Sequence, residues 1–364
     1  MFLRILKILL LFPFSFFYGT IVRIKNFLYD FNILKSSQFD IPIISVGNIS
    51  VGGTGKTPHV EFLVSILQKD FKPAVLSRGY QRKTKGFREV KVDDNYLLSG
   101  DEPLQIKEKF PEIIVAVCEN RKIGIKKIIE LHPETDLIIL DDAFQHRRVK
   151  PGLSILLINY NKPIKDDHLL PIGRLREPAN SSHRADILIY TKCPEKITSI
   201  ERRIIAQDIK IFPYQSLYFS KIIYQNPVPV FESDLIQRIN DLDKYKVIII
   251  TGIANPEQFV NYISTYTKNY QHLKFPDHHK FKKSDFEELL KLEKQNDDKK
   301  IIITTEKDAV RIKNSEIFPE ELKSLLFCIP IKIEVVGDEK EKIELIKKIY
   351  KYVRENKRNK RIHI

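Results

Sequence analysis

Ile41-Pro-Ile-Ile-Ser-Val-Gly-Asn-Ile-Ser-Val-Gly-Gly-Thr-Gly-Lys-Thr-Pro-His-Val-Glu-Phe-Leu-Val-Ser-Ile-Leu67 is the stretch from which the rest of the chain is read. An apolar strand, Ile41 to Val46, runs into a glycine-rich turn. Lys56-Thr57 then opens a helix whose Val60, Leu63, Val64 and Leu67 form one apolar stripe. Gly52, Gly53 and Gly55, with Thr54 among them, let several backbone N–H groups point at one anion, and the helix start adds its partial positive charge. Lys56 is placed to reach the β- and γ-phosphates of a nucleotide, and the Thr57 hydroxyl to ligate Mg²⁺. Pro58 fits the first helical turn, where no N–H is needed. Ser50 stands where the usual G-x-x-x-x-G-K-[ST] pattern has its first glycine.

Working outward, Leu137-Ile-Ile-Leu-Asp-Asp142 has the form of a Walker B strand closing on aspartate. Pro73 to Ser77 reads as a strand ending in Arg78-Gly-Tyr80. Ile113 to Val117 reads as another, ending in Cys118-Glu-Asn-Arg121, and residues past such ends face the ligand crevice of an α/β sheet. Ser99-Gly-Asp-Glu-Pro103 opens a helix, and on spacing alone Asp101 reads as its cap. In Pro171-Ile-Gly-Arg-Leu-Arg-Glu-Pro178, two arginines beside a carboxylate fit either a surface ion pair or a grip on phosphate with Glu177 helping a metal. Thr191-Lys-Cys-Pro194 lacks the aspartate of a guanine-reading motif, so GTP specificity is unsupported. Beyond about Gln215 the glycine turns that bind phosphate cease, and short strands alternate with polar helices. Vicinal His278 and His279 have no third ligand at metal spacing.

With 364 residues, 43% hydrophobic and 30% charged, the chain has the composition of a globular protein of about two domains. A net charge of +14 favours anionic partners, namely nucleotide phosphates, nucleic acid or an acidic membrane. Cys118, Cys193 and Cys328 form neither a disulfide framework nor a zinc pattern, which fits a reducing compartment. At the N-terminus, fifteen uncharged residues lie between Lys7 and Arg23, interrupted by Pro13. That run is shorter than the ~20 a spanning helix needs, so interfacial anchoring is expected ahead of a true span or a buried core helix. The tail from Lys347 carries eight Lys/Arg against one acidic residue, the pattern of a solvated helix end or of a contact with anionic lipid.

Gly47-Asn48, Ser77-Arg-Gly-Tyr80, Gly100-Asp-Glu-Pro103, Asp141-Asp-Ala-Phe-Gln-His146, Gly173-Arg-Leu-Arg-Glu-Pro178, Gly252-Ile-Ala-Asn-Pro256, Asp277-His278 and Thr305-Glu-Lys-Asp308, taken in order, resemble the tetraacyldisaccharide 4′-kinase family of lipid A synthesis. The resemblance implies transfer of the ATP γ-phosphate to the 4′-hydroxyl of a lipid A disaccharide precursor, with ATP and Mg²⁺, at the cytoplasmic leaflet of a bacterial inner membrane. It implies Asp101 as catalytic base paired with His278, chosen over His279 by the Asp-His order. Asp141, Asp142 and Glu177 fall on metal-site acids, and Tyr80, Asn120, Arg121, Gln145, His146 and Arg176 fall where sugar and phosphate are held. Ala143 stands where many relatives have glycine.

The expected fold is α/β: an amphipathic membrane-associated helix (1–34), a P-loop domain with a mostly parallel sheet (35–214), and a smaller α/β domain closing the cleft (215–364). A nucleic-acid-binding ATPase would suit the charge but leaves the apolar N-terminus unexplained and finds no nucleic-acid motif. A membrane-attached nucleotide switch is the other rival. No protein partner is indicated.

Overall fold

The structure, a computed structural model, describes residues 2–362 except 234, 236, 237 and 296–298. Its strands in chain order are β1 (Ile43–Gly47), β2 (Pro73–Ser77), β3 (Arg88–Glu89), β4 (Ile114–Val117), β5 (Leu137–Asp141), β6 (Leu153–Asn159), β7 (Ile187–Thr191), β8 (Ser216–Tyr224), β9 (Val228–Pro229), β10 (Lys246–Thr251), β11 (Tyr270–Lys274), β12 (Lys300–Thr305), β13 (Leu326–Ile329) and β14 (Ile331–Val335). Nine of them form one sheet, in the order β14-β8-β7-β6-β1-β5-β2-β4-β3. It is parallel from β8 to β4, with antiparallel β14 and β3 at its edges. The parallel strands read as unbroken apolar runs because helices cover both faces, and β1, β2, β5, β6 and β7 are buried throughout.

On one face, Val60, Leu63, Val64 and Leu67 of the P-loop helix (Lys56–Leu67) pack with Leu104 and Ile106 of the helix Asp101–Lys109 and Leu345, Ile349 and Val353 of the C-terminal helix (Glu339–Ile362). Tyr352 of that last helix sits on Gly152 so closely that a Cβ there would collide with its ring. Its hydroxyl also accepts from Ile43 N at 2.9 Å. On the opposite face Ile125 and Ile128 pack under Ile138 and Leu140.

The second sheet, β11-β10-β12-β13-β9, is parallel except for β9. It is built from a shorter segment than the expected 215–364, because β8, β14 and the C-terminal helix belong with the first sheet. A strand's own pattern tells that it is a strand, but not which sheet it joins, and β14 finds β8 only after a long excursion. The N-terminal helix (Phe2–Asp30) contains Pro13 and lies on the first sheet's loops. Ser15 Oγ donates to Leu169 O at 2.9 Å and Tyr18 OH to Arg176 O at 2.9 Å, while Arg147 holds Asn26 O at 2.9 Å and Asp30 at 2.7 Å. Among the described residues no helix is long and apolar enough to cross a membrane.

Candidate active site

The chain order reverses around β1, so the C-terminal ends of β1, β5 and β6 open a crevice, and the glycine loop lies there. The loop is pinned from three sides. Asn48 Nδ2 donates to Thr54 Oγ1 at 2.7 Å, Thr191 Oγ1 donates to Thr54 O at 2.9 Å, and Val51 N donates to Arg174 O at 2.8 Å. Ser50 forms a bridge with Leu175 and is buried, so the position where the motif normally has glycine is here extended backbone that serine adopts freely. Gly55, with φ 82°, caps the helix in the left-handed region that a side chain would disfavour. Thr57 is buried in the first turn, and Lys56 Nζ stands 3.7 Å from Asp142 Oδ1.

Asp141 ends β5 opposite Val46 of β1. Its Oδ2 accepts from Ser77 Oγ at 2.9 Å, whereas its buried Oδ1 has no hydrogen-bond partner among the described residues. Burial, with Glu102 and Asp142 nearby, pushes its pKa up to about 6. Burial acts on Asp142 in the same sense, but Lys56 and Arg176 outweigh it and lower that pKa. Arg176 Nη1 donates to Asp142 Oδ2 at 3.2 Å and to Gln145 Oε1 at 3.4 Å. Glu177 is buried and paired with Arg184, which stacks over the Phe144 ring at 4.4 Å. No group of three or more His, Cys, Asp or Glu side chains that could hold a metal occurs among the described residues. A Mg²⁺ ion needs no such cage, since it keeps several waters and takes one or two carboxylates plus phosphate oxygens. The orphaned Asp141 oxygen, with the Asp142 carboxylate next to it, fits that demand.

Of the residues expected to hold substrate, Arg121 is 2% exposed, with Nη1 donating to Cys118 O at 2.7 Å and Nη2 to Asp141 O at 2.9 Å. Asn120 caps the helix Arg121–Leu131 through Lys122 N and Ile123 N. Gln145 Nε2 donates to Asn48 O at 2.5 Å. His146 has a buried Nε2 without a partner among the described residues, and burial together with Arg121, Arg148, Lys25 and Arg78 pushes its pKa down to about 4. A neutral imidazole ringed by cations is a setting that attracts an anion. Tyr80 is exposed, with its ring edge-on to His278 at 5.3 Å.

The helix Asp101–Lys109 begins at Asp101, but its N-cap is Gly100, so the capping role that spacing alone assigned to Asp101 does not hold. The Asp101 carboxylate instead points across to the second sheet. Its Oδ2 lies 3.0 Å from His278 Nδ1, 2.6 and 2.9 Å from Arg311 Nη2 and Nε, and 4.0 Å from Lys307 Nζ. Burial would raise its pKa, yet His278, Lys307 and Arg311 prevail and hold it well below the usual carboxylate range. Lys307 Nζ also lies 3.2 Å from His278 Nε2. An ammonium can only donate, so Nε2 accepts and Nδ1 carries the proton donated to Asp101. His279 turns away to Asp285 at 2.7 Å and stacks on Phe275.

Arg311, Lys307 and Lys192 are site residues that sequence reasoning missed. Lys307 and Arg311 are four apart on one helix, hence on one face, and a buried Asp101 demands a cation, but only the fold shows that the two meet. A Cβ on Gly53 would stand 3.6 Å from Asn255 Nδ2 and 3.9 Å from Lys192 Nζ, so the second sheet and the end of β7 both approach the glycine loop. Burial and neighbouring Lys162 push the Lys192 pKa down.

A parallel sheet that feeds a glycine loop and a Lys-Thr helix, with strand-end aspartates and an aspartate–histidine pair at the crevice, defines a P-loop phosphotransferase. The family model described as Tetraacyldisaccharide-1-P 4′-kinase, LpxK, matches residues 7–351, and the chain belongs to that family. It is 46% identical over 353 residues to the tetraacyldisaccharide 4′-kinase of Phocaeicola vulgatus, covering 96% of both chains. Against that of Bacteroides thetaiotaomicron it is 42% identical over 359 residues, covering 96% of this chain and 94% of the relative. The crystal structure of "apo" form LpxK from Aquifex aeolicus in complex with ATP superposes with a TM-score of 0.72 at 29% identity, covering 94% of this chain and 98% of that one.

Proposed function

We propose that the protein transfers the γ-phosphate of ATP to the 4′-hydroxyl of a tetraacyldisaccharide 1-phosphate, the lipid A disaccharide precursor, at the cytoplasmic face of a bacterial inner membrane. The observation that carries this reading is the Asp101–His278 pair, assembled across the two sheets in a chain that matches the kinase family over residues 7–351. Lys56 and the loop N–H groups bind and orient the triphosphate. Thr57, Asp141 and Asp142 would hold Mg²⁺, which when bound supplies neutralisation of phosphate charge. Asp101 accepts the acceptor hydroxyl's proton as its oxygen attacks phosphorus, and His278 keeps the carboxylate oriented. Glu177, paired with Arg184, would keep the Arg176 segment in place behind Asp142.

The substrate's acyl chains stay in the bilayer, and the N-terminal helix supports a matching docking mode. Phe14, Phe17 and Ile21 are 65 to 67% exposed, while Tyr18 and Ser15 on another side of the helix hold the kinase loops. Such an apolar face fits peripheral seating in the headgroup region. The deciding experiment incubates the protein with γ-labelled ATP and tetraacyldisaccharide 1-phosphate in mixed micelles. Label at the 4′-position is the expected result; ATP hydrolysis without labelled lipid, or hydrolysis stimulated only by DNA, would overturn the reading.

A further inference from the structure

Arg311 is 2% exposed in the helix Glu306–Lys313, and all three nitrogens of its guanidinium are engaged. Nε and Nη2 converge on Asp101 Oδ2, while Nη1 donates to Gly252 O at 3.0 Å and to Asp308 Oδ1 at 2.8 Å. Asp308 is itself fully buried and accepts from Gly252 N at 3.0 Å and Thr305 Oγ1 at 2.8 Å. The guanidinium is therefore fixed from behind by a second carboxylate and a turn of backbone before it meets Asp101. That same turn, Gly252 to Pro256, carries Asn255 up to the glycine loop.

Coulomb attraction alone would be served by any cation nearby, and Lys307 already supplies one at 4.0 Å. What Arg311 adds is direction. Two donors converging on a single oxygen hold Oδ2 in one place and leave Oδ1 clear of the guanidinium, which a mobile point charge does not do. Among the described residues Oδ1 has one donor, Glu102 N at 2.9 Å, which leaves it capacity to accept a second hydrogen bond.

We propose that Arg311 is a positioning residue for phosphoryl transfer: from the second sheet it grips Oδ2 of Asp101 and presents Oδ1 to the acceptor hydroxyl. This rests on the reading of Asp101 as base. In the step it serves, the hydroxyl O–H bond breaks with its proton going to Oδ1, the oxygen forms the new P–O bond, and the bond from the γ-phosphorus to the bridging oxygen breaks to release ADP. The titratable and charged groups that face Asp101 are His278 on the loop after β11, Lys307, Asp308 and Arg311 on their helix, Glu102 through its ion pair with Lys307, and Tyr96, which senses both Asp101 and Arg311. With Arg311 gone, burial is opposed by fewer cations and the Asp101 pKa rises.

The test compares wild-type, Arg311→Met, Arg311→Lys and Asp101→Asn full-length enzymes, using ATP and tetraacyldisaccharide 1-phosphate across pH 4 to 9. Arg311→Met is expected to lower kcat about 10- to 100-fold, leave KM for ATP within about threefold, and bring the acid limb of the kcat profile, which in wild type lies below the measured range, up into it. Arg311→Lys, which keeps charge but loses the paired donors, should hold the acid limb near its wild-type position while recovering only part of kcat. An acid limb in Arg311→Met that coincides with wild type would overturn the proposal, even with kcat reduced. Should Arg311→Met fail to fold, an unchanged kcat in Arg311→Lys would overturn it, and a loss of about threefold or more at unchanged melting temperature would support it. Full activity in Asp101→Asn would remove the base itself, a failure distinct from an inactive Asp101→Asn beside an unshifted Arg311→Met.

Discussion

Asp101 and His278 are 177 positions apart, and holding them 3.0 Å from each other needs both sheets in place. His278 has a neighbour that serves as an internal control. His279 hydrogen-bonds Asp285 and packs between Phe275 and Phe281, so it belongs to the second sheet's core. His278→Ala should lower kcat by roughly 10²-fold with little change in melting temperature, whereas His279→Ala should lower the melting temperature and leave kcat per folded molecule near wild type. Steady-state kinetics with parallel thermal unfolding separates the two, and equal kcat losses would mean that neither histidine is specific to the chemistry. At this scale the sequence was legible where a motif demands a geometry: the glycine loop, Lys56, Thr57 and the strand-end aspartates. Asp101 illustrates the limit. Its place after Ser-Gly at a helix start read as a cap, and its burial against Arg311 depends on a helix more than two hundred residues away.

Among the elements, the P-loop helix has a polar back as well as an apolar one. His59 lies one turn in, 3% exposed, with Nδ1 2.7 Å from Gly55 O and Nε2 3.0 Å from Ser220 Oγ on β8. Burial pushes its pKa down to about 4, against about 6.5 in an unfolded chain. A lowered pKa means the unfolded chain takes the proton first, so this contribution to stability is complete above about pH 6.5 and is lost as the pH falls towards 4. His59→Gln should flatten the fall in melting temperature between pH 6.5 and 4.5. His146, shifted the same way, leaves a residual slope. Parallel curves for the two proteins would show that His59 does not carry this linkage. The N-terminal helix poses a different question, because removing it also removes the Tyr18 bond to Arg176 O and the Lys25 bond to Gln145 O. Changing only its outer face is the cleaner experiment. Phe14→Ser, Phe17→Ser and Ile21→Ser together should weaken binding to anionic vesicles by about 100-fold or more, given about 1.5–3 kcal/mol per buried large apolar side chain, with ATP affinity unchanged. Vesicle sedimentation at wild-type levels would place the membrane contact elsewhere. Apolar periodicity made this helix and most strands legible, whereas the two-residue strands β3 and β9 are too short to leave a pattern.

For the molecule as a whole, the second sheet is an insertion. Tyr224 at the end of β8 faces Ile331 at the start of β14, and Gln225 N donates to Pro330 O at 2.8 Å, so the chain leaves and re-enters the first sheet at one point. The change of pattern near Gln215 falls at the start of β8 rather than at this exit, which is why β8, β14 and the C-terminal helix were not legible as belonging with the first sheet. Entry and exit side by side imply that the insertion is separable in folding but not in function. Among the described residues the junction is held by specific contacts: Lys109 joins Glu61 to Glu306, Lys307 pairs with Glu102 and Lys313 with Glu108, Lys162 meets Asn255, Val310 enters the first core, and Arg311 and His278 reach Asp101. Replacing residues 226–329 by Asn-Gly, together with Pro330→Thr to supply the N–H that closes the turn onto Gln225 O, should join β8 and β14 into a hairpin, since that dipeptide suits a two-residue turn. The shortened chain is expected to fold with a lower melting temperature, because it loses the Val310 contact and leaves Lys109 with one carboxylate fewer. It should bind ATP within about tenfold of the full protein, as Lys56 and the glycine loop remain. It should transfer no phosphate, because the partners that orient Asp101 are gone. Circular dichroism, nucleotide titration and the lipid kinase assay check these in turn, and a chain that is unfolded or blind to ATP would show that the two sheets form one cooperative unit.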